Sequence, residues 1–200
     1  MTPGNEDRLL TVPNGLSVGR LLLVPVFVWL VWGRHDDYIG AALLAGLGAT
    51  DWVDGYIARR FDQVSSLGKV LDPTADRVLV AAAVVSALAV HAVPLWLCVV
   101  VGAREALVSV GVLALGALRV ERIDVVWVGK AGTLGLMFAL PLFLVAHSSA
   151  SWHSIAHVLA WLFCLPAIVL GWMAAISYAR SARQALNRRH ALEPRVRSVP

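Results

Sequence analysis

Four aspartates form two closely spaced pairs, each at the end of a long apolar stretch of the sequence. Asp51 and Asp54 are three residues apart, and Asp72 and Asp76 are four residues apart. On a helix, either spacing places both carboxylates on one face. Four carboxylates that meet in a low-dielectric site repel one another strongly unless cations are bound. Because Mg²⁺ and Mn²⁺ prefer oxygen ligands and two such ions can clamp a phosphoryl group, the pattern predicts a two-metal site for a phosphate ester.

Small residues and a cation accompany these aspartates. Gly55 and Ala58 would let a bulky group approach the helix backbone, and Gly68 would leave a matching gap one turn before Asp72. Arg59 adds a cation suited to a diphosphate. The residues alone therefore indicate an enzyme that acts on a phosphate ester.

The elements that must position these residues are expected to be membrane-spanning helices. Apolar residues make up 58% of the 200-residue chain and charged residues 15%, and the mean hydropathy is +0.73. Such a chain has too few charges to cover a water-facing surface, which excludes a soluble enzyme. Six segments are apolar and long enough to span a bilayer core, at about residues 16–33, 39–58, 71–91, 93–118, 125–147 and 154–179.

The distribution of Lys and Arg predicts how these spans are oriented. With both termini in the cytoplasm, the inner segments carry twelve of these cations and the outer loops carry only Arg34. We therefore expect an all-α polytopic protein of the cell membrane, with six transmembrane helices around a polar cavity that faces the cytoplasm. Residues 1–180 would form the membrane domain, and residues 181–200 would form a basic cytoplasmic tail. Membrane lipids would surround it, and no nucleic-acid partner is expected.

Four cations fall inside the predicted spans: Arg77 stands at a helix end beside Asp76, whereas Arg20, Arg104 and Lys130 lie in the inner half or near the middle of their spans. An ionisable residue in a membrane is costly, so each of the latter three needs a reason. These three could neutralise the aspartates, or they could form a second anion pocket for a phosphate on an acceptor substrate. We favour the acceptor pocket, because the metals would already balance the four carboxylates.

The aspartates and their neighbours also spell a known signature. Residues 51–59 read DWVDGYIAR and residues 68–76 read GKVLDPTAD, which together match the pattern DxxDGxxAR…GxxxDxxxD at eight positions. This pattern resembles that of the CDP-alcohol phosphotransferase family. The resemblance covers about residues 12–180. The opening VPNGLSVGR at residues 12–20 and the later GKAGT at residues 129–133 resemble the phosphatidylglycerophosphate synthase and cardiolipin synthase branches.

The resemblance implies a reaction and a role for each site residue. An acceptor hydroxyl would attack the β-phosphorus of CDP-diacylglycerol, and CMP would leave. Two divalent ions, Mg²⁺ or Mn²⁺, would be held by Asp51, Asp54 and Asp72, while Asp76 would touch one metal and act as the general base. The CDP group would be lined by Gly55, Ala58, Arg59 and Gly68. The resemblance also implies a homodimer.

The sequence leaves two acceptor substrates open. Glycerol 3-phosphate, which gives phosphatidylglycerophosphate, is our first expectation, and phosphatidylglycerol, which gives cardiolipin, is its alternative. Phosphatidylglycerophosphate synthases usually show a second basic residue in the later motif, as GKxKT, where this chain has Gly132. They also tend to carry further charged residues after Arg-Glu, whereas the stretch from Ala106 to Leu118 is uncharged here. In these respects the chain looks more like members linked to cardiolipin synthesis.

A function of a different class is a small ion-coupled transporter, since buried charges in six helices would also fit one. The charges cluster at one side of the membrane, however, and the two halves show no matching hydropathy. Both features favour the enzyme.

Overall fold

The computed structural model describes the backbone of residues 12–61, 68–117 and 126–196, and the side chains of residues 14–50, 71, 74–111, 127–181 and 183. Within these ranges the chain is all-helical, as predicted. It forms six α-helices and one π-helical segment: α1 (Val12–Val28), the π segment (Trp29–Gly33), α2 (Asp37–Phe61), α3 (Gly68–Ala89), α4 (Leu95–Ala117), α5 (Val126–His147) and α6 (His153–Val196).

Each predicted span corresponds to one of these helices. In the part of the chain that the structure describes, three segments are long and apolar enough to cross a membrane: Asn14–Gly33, Trp127–His147 and His153–Ser181. They carry exposed large apolar side chains, among them Leu22 and Val158, which is the surface that contact with lipid requires. The chain is therefore a membrane protein with several apolar helices, whereas the full set of six spans and its orientation stay predictions.

The last helix continues further than the apolar pattern predicts. The predicted span ends at about residue 179, whereas α6 runs on to Val196. Residues 180–191 include four Arg and three Ala, which are good helix formers, so the backbone has no local reason to stop. The polar tail is thus largely helical up to that residue.

The chain divides into two compact units. The first comprises Met1–Cys98 and Leu136–Cys164, and the second comprises Val99–Gly135 and Leu165–Pro200. In the first unit, α1 packs against α2 and α3. Asp36 caps α2, because its carboxylate accepts a hydrogen bond from the backbone N–H of Ile39 at 3.1 Å. The core of this unit includes Phe27, Leu79 and Leu144, each almost fully buried.

An aromatic cluster, formed by Trp96, Phe143, His157 and Trp161, joins three helices of the first unit. The indole rings of Trp96 and Trp161 are stacked with their centroids 5.8 Å apart. The ring of Phe143 meets Trp161 edge-on at 5.2 Å, and Trp161 Nε1 donates a hydrogen bond to His157 Nε2 at 2.8 Å. Stacked and edge-on aromatic pairs contribute about 0.5–1.5 kcal/mol each beyond the area that they bury. The cluster therefore fixes the start of α4 and of α6 against the end of α5.

The turn after α3 contains a residue in the left-handed conformation, and this leads to a stability prediction. His91 has a φ of 61°, and the turn is closed by a hydrogen bond from Ala92 N to Ala87 O at 2.8 Å. We expect His91→Val to lower the free energy of unfolding by about 1–2 kcal/mol, because a β-branched residue fits this conformation poorly. His91→Gly should cause no loss. Thermal unfolding of both variants in detergent tests this, and equal stability of the two would contradict it.

Candidate functional site

The backbone places the predicted metal ligands at the ends of two consecutive helices. Asp51 and Asp54 lie in the last turns of α2, which ends at Phe61. Asp72 and Asp76 lie in the first turns of α3, which begins at Gly68. Both stretches are helical, so each pair shares a helix face, as the spacing predicts. The side chains of Asp51, Asp54 and Asp72, and those of the predicted CDP-binding residues Ala58 and Arg59, lie outside the described residues, as do the surroundings of Gly55 and Gly68.

Asp76 is the predicted ligand whose side chain is described, and it forms an ion pair with Arg20. The Arg20 Nη1 atom donates to Asp76 Oδ1. The Arg20 side chain is only 1% exposed, whereas that of Asp76 is 25% exposed. A buried guanidinium is strongly destabilising unless an anion and hydrogen bonds compensate its charge. The contact agrees with the interpretation in which Arg20 neutralises an aspartate, and its role toward an acceptor phosphate stays a prediction.

Two further polar residues accompany Arg20 on α1. Asn14, Ser17 and Arg20 follow one another at intervals of three residues and are all buried. This spacing puts them along one side of the helix. The sequence analysis did not single out Asn14 and Ser17, although polar residues at helical intervals in an apolar run were an available signal. α1 therefore presents a polar side within the first unit.

In the second unit, Arg104 of α4 is held against the start of α5. Its Nη2 donates to the carbonyl oxygen of Gly129 at 3.2 Å, and its Nη1 donates to Thr133 Oγ1 at 3.3 Å. Nη1 also pairs with the carboxylate of Glu105. Arg104 is 5% exposed, so these contacts compensate a buried charge. Gly129 and Thr133 are the first and last residues of the GKAGT motif. Arg104 therefore contacts this motif directly.

Two glycines let α6 approach both α5 and Arg104. A β-carbon at Gly132 would lie 2.9 Å from the backbone nitrogen of Gly171 and 3.0 Å from the carbonyl oxygen of Ala167. A β-carbon at Gly171 would lie 2.9 Å from Arg104 Nε. Distances this short exclude a side chain unless a neighbour moves. Sequence reasoning missed Gly171, because a single glycine in an apolar span carries no signal of a specific contact.

The three predicted acceptor-pocket cations are divided between the two units. Arg20 belongs to the first unit, whereas Arg104 and Lys130 belong to the second. Lys130 follows Gly129 on α5, and its side chain is exposed. The convergence of all three cations on one phosphate therefore stays a prediction.

The donor chemistry of the site suits divalent cations. The four aspartates at the end of α2 and the start of α3 offer only carboxylate oxygens, which are the ligands of Mg²⁺ and Mn²⁺. Among the side chains that the structure describes, no three His, Cys, Asp or Glu residues form a metal-binding group, and three of the predicted ligands are not among those side chains. The residue types therefore fit the predicted metals.

Comparison with known proteins identifies the class to which this helical site belongs. The profile of the CDP-alcohol phosphatidyltransferase family matches residues 10–180. The chain belongs to this family and is a membrane transferase of phospholipid synthesis, which excludes the transporter alternative.

Individual relatives carry names from both acceptor branches. The chain is 40% identical to the cardiolipin synthase (CMP-forming) of Streptomyces coelicolor, over 89% of this chain and 85% of that protein. It is 36% identical to a putative cardiolipin synthase of Mycobacterium tuberculosis, over 87% and 83% of the two chains. It is 31% identical to the CDP-diacylglycerol–glycerol-3-phosphate 3-phosphatidyltransferase of Bacillus subtilis, over 82% and 93%.

Proposed function

We propose that the protein is a CMP-forming cardiolipin synthase, which transfers the phosphatidyl group of CDP-diacylglycerol to phosphatidylglycerol. The observation that carries this proposal is the 40% identity to a cardiolipin synthase along most of both chains, against 31% for a relative named for glycerol 3-phosphate. This order favours the alternative acceptor over our first expectation. Glycerol 3-phosphate remains the second candidate.

The packing at Gly132 supports the same acceptor independently. Phosphatidylglycerophosphate synthases usually show GKxKT in this motif, with a lysine where this chain has Gly132. Here a β-carbon at that position would meet the backbone of α6 at 2.9 Å, so the fold leaves no room for a second lysine. A phosphate monoester such as glycerol 3-phosphate carries a charge of about −1.5 to −2 near neutral pH. The phosphodiester of phosphatidylglycerol carries a single charge, which a pocket with fewer cations suits better.

In the proposed reaction, divalent ions, Mg²⁺ or Mn²⁺, would be held by Asp51, Asp54, Asp72 and Asp76. When bound, these ions would neutralise the diphosphate and stabilise the attacking and leaving oxygens. Asp76 accepts the proton of the acceptor hydroxyl. The hydroxyl oxygen forms a bond to the β-phosphorus, and the bond from that phosphorus to the CMP oxygen breaks. Arg20 orients the Asp76 carboxylate through their ion pair.

The remaining residues bind the two substrates in this proposal. The CDP group is contacted by Gly55, Ala58, Arg59 and Gly68. The phosphate of the acceptor is bound by Arg104 and Lys130. The protein would work as a homodimer, with six spans and both termini in the cytoplasm. Its polar cavity would then open toward the cytoplasm, where CMP is released.

The acceptor assignment is tested with purified protein in detergent, CDP-diacylglycerol and either Mg²⁺ or Mn²⁺. Phosphatidylglycerol and glycerol 3-phosphate are offered separately, while CMP release and the lipid product are measured. We expect CMP and cardiolipin with phosphatidylglycerol, and no CMP in a control with excess EDTA. If CMP is released with glycerol 3-phosphate but not with phosphatidylglycerol, the acceptor assignment is wrong and glycerol 3-phosphate, our first expectation, is the acceptor.

A further inference from the structure

The guanidinium of Arg104 has one edge that its protein contacts do not use. Arginine has five N–H donors. Nη1 donates to Glu105 and Thr133, and Nη2 donates once, to the carbonyl oxygen of Gly129. Nε is buried and finds no hydrogen-bond acceptor among the described residues. The Nε–H and the second N–H of Nη2 therefore remain, and these two donors form one edge of the planar group.

This edge has the geometry that binds phosphate. Two parallel N–H donors of one guanidinium accept a phosphate or carboxylate in a bidentate manner, and such charge-assisted pairs are among the strongest hydrogen bonds in proteins. A buried N–H without an acceptor is destabilising, which a bound anion would correct. The three protein contacts of Arg104 also fix the plane of the group before any ligand arrives.

Gly171 borders the same edge. The position that a β-carbon would take at residue 171 lies 2.9 Å from Arg104 Nε, 3.4 Å from Cζ and 3.5 Å from Cδ. A methyl group at residue 171 would therefore either cover Nε or push the guanidinium away from its partners on α5, whose hydrogen bonds are already long.

We propose that Gly171 is a positioning residue, which keeps a side chain off the Nε–Nη2 edge of Arg104 so that this edge can pair with the acceptor phosphate, and thereby sets the affinity for the acceptor. The proposal rests on the proposed function in taking an acceptor whose phosphate is bound by Arg104, so it applies equally to phosphatidylglycerol and to glycerol 3-phosphate. The neighbouring Gly132 acts differently, because a side chain there would meet backbone atoms and not the end of a flexible side chain.

The test compares Gly171→Ala with Gly102→Ala. Gly102 lies on α4 two residues before Arg104, and a β-carbon there would meet nothing within 4 Å, which makes it a matched control. Kinetics are measured with whichever acceptor yields CMP. We expect Gly171→Ala to raise the KM for that acceptor about 10- to 100-fold, the loss that corresponds to a hydrogen bond with a charged group. The KM for CDP-diacylglycerol and the behaviour of Gly102→Ala should stay close to wild type.

A double variant separates positioning from a general packing defect. In Arg104→Ala the edge is gone, so adding Gly171→Ala should raise the acceptor KM no further. A full additional effect in that background, an equal rise in the KM for CDP-diacylglycerol, or an unchanged acceptor KM in Gly171→Ala would overturn the proposal.

Arg104→Lys provides a second test that does not depend on the folding of Gly171→Ala. Lysine keeps the positive charge but lacks the two-donor edge. The acceptor KM should therefore rise by a factor similar to that of Gly171→Ala. A wild-type KM in Arg104→Lys would mean that the edge is not used. If only glycerol 3-phosphate yields CMP, the proposed function fails, while these comparisons still decide the role of Gly171.

Discussion

Asp76→Asn is expected to lower the rate of CMP release about 100- to 10,000-fold, the usual contribution of a general base. The amide cannot take the proton from the acceptor hydroxyl, yet its oxygen can still accept a hydrogen bond from Arg20. The fold should therefore survive better than in Asp76→Ala, which removes the carboxylate that pairs with this buried guanidinium. CMP release at saturating metal and substrates measures the effect, and thermal unfolding in detergent checks the fold.

The matched control for this variant is Asp37→Asn. Asp37 is also paired with a basic side chain, since its Oδ2 lies 2.7 Å from His147 Nδ1, but it stands at the opposite end of α2 from Asp51 and Asp54. Its replacement should leave the rate of CMP release nearly unchanged. If Asp76→Asn kept a rate within about tenfold of wild type, the assignment of Asp76 as the general base would be wrong.

Gly132→Ala is expected to destabilise the protein by about 1–3 kcal/mol, and Gly132→Lys by more. The added β-carbon would lie 2.9 Å from the backbone nitrogen of Gly171 and 3.0 Å from the carbonyl oxygen of Ala167. Backbone atoms of a packed helix cannot move aside individually, so the start of α5 must separate from α6 in this unit. Thermal unfolding in detergent measures the loss, and the fraction of protein that elutes as a single species reports the outcome for Gly132→Lys.

Gly129→Ala is the control for this second prediction. A β-carbon at Gly129 would lie 3.5 Å from Ala174 Cβ, which is an ordinary contact. Because alanine favours a helix over glycine by about 0.5–1 kcal/mol, this variant should be as stable as wild type or slightly more so. A folded Gly132→Lys that used glycerol 3-phosphate would contradict both the packing argument and its use in assigning the acceptor.

The sequence predicted the helices well, because the physical signal for them is strong. Long apolar runs in a chain with few charges must become helices, since only internal hydrogen bonds satisfy a backbone in lipid. The end of α6 was harder to predict, because the apolar pattern stops near residue 179 while the helix propensity of the following residues does not. Hydropathy identifies the part of a helix that is in contact with lipid, and the remainder depends on local propensity.

The site was predicted unevenly for a similar reason. The spacing of four aspartates carries chemical information along the sequence, so the helix ends that hold Asp51, Asp54, Asp72 and Asp76 could be named in advance. The pairing of Arg20 with Asp76 depends on how α1 packs on α3, and the contact of Gly171 with Arg104 depends on how α6 passes α4. Contacts between distant residues follow from packing, which the sequence pattern alone does not specify.

The stacked indoles of Trp96 and Trp161 also give the first unit an optical signature. Two indole rings 5.8 Å apart and nearly parallel form a coupled chromophore, whose near-ultraviolet circular dichroism depends on their mutual orientation. The rings come from α4 and α6, so their signal is lost when these helices separate. Comparison with Trp96→Phe isolates it from the other indoles of the chain. A variant that keeps this spectrum but no longer releases CMP has lost its chemistry while retaining the packing of the first unit.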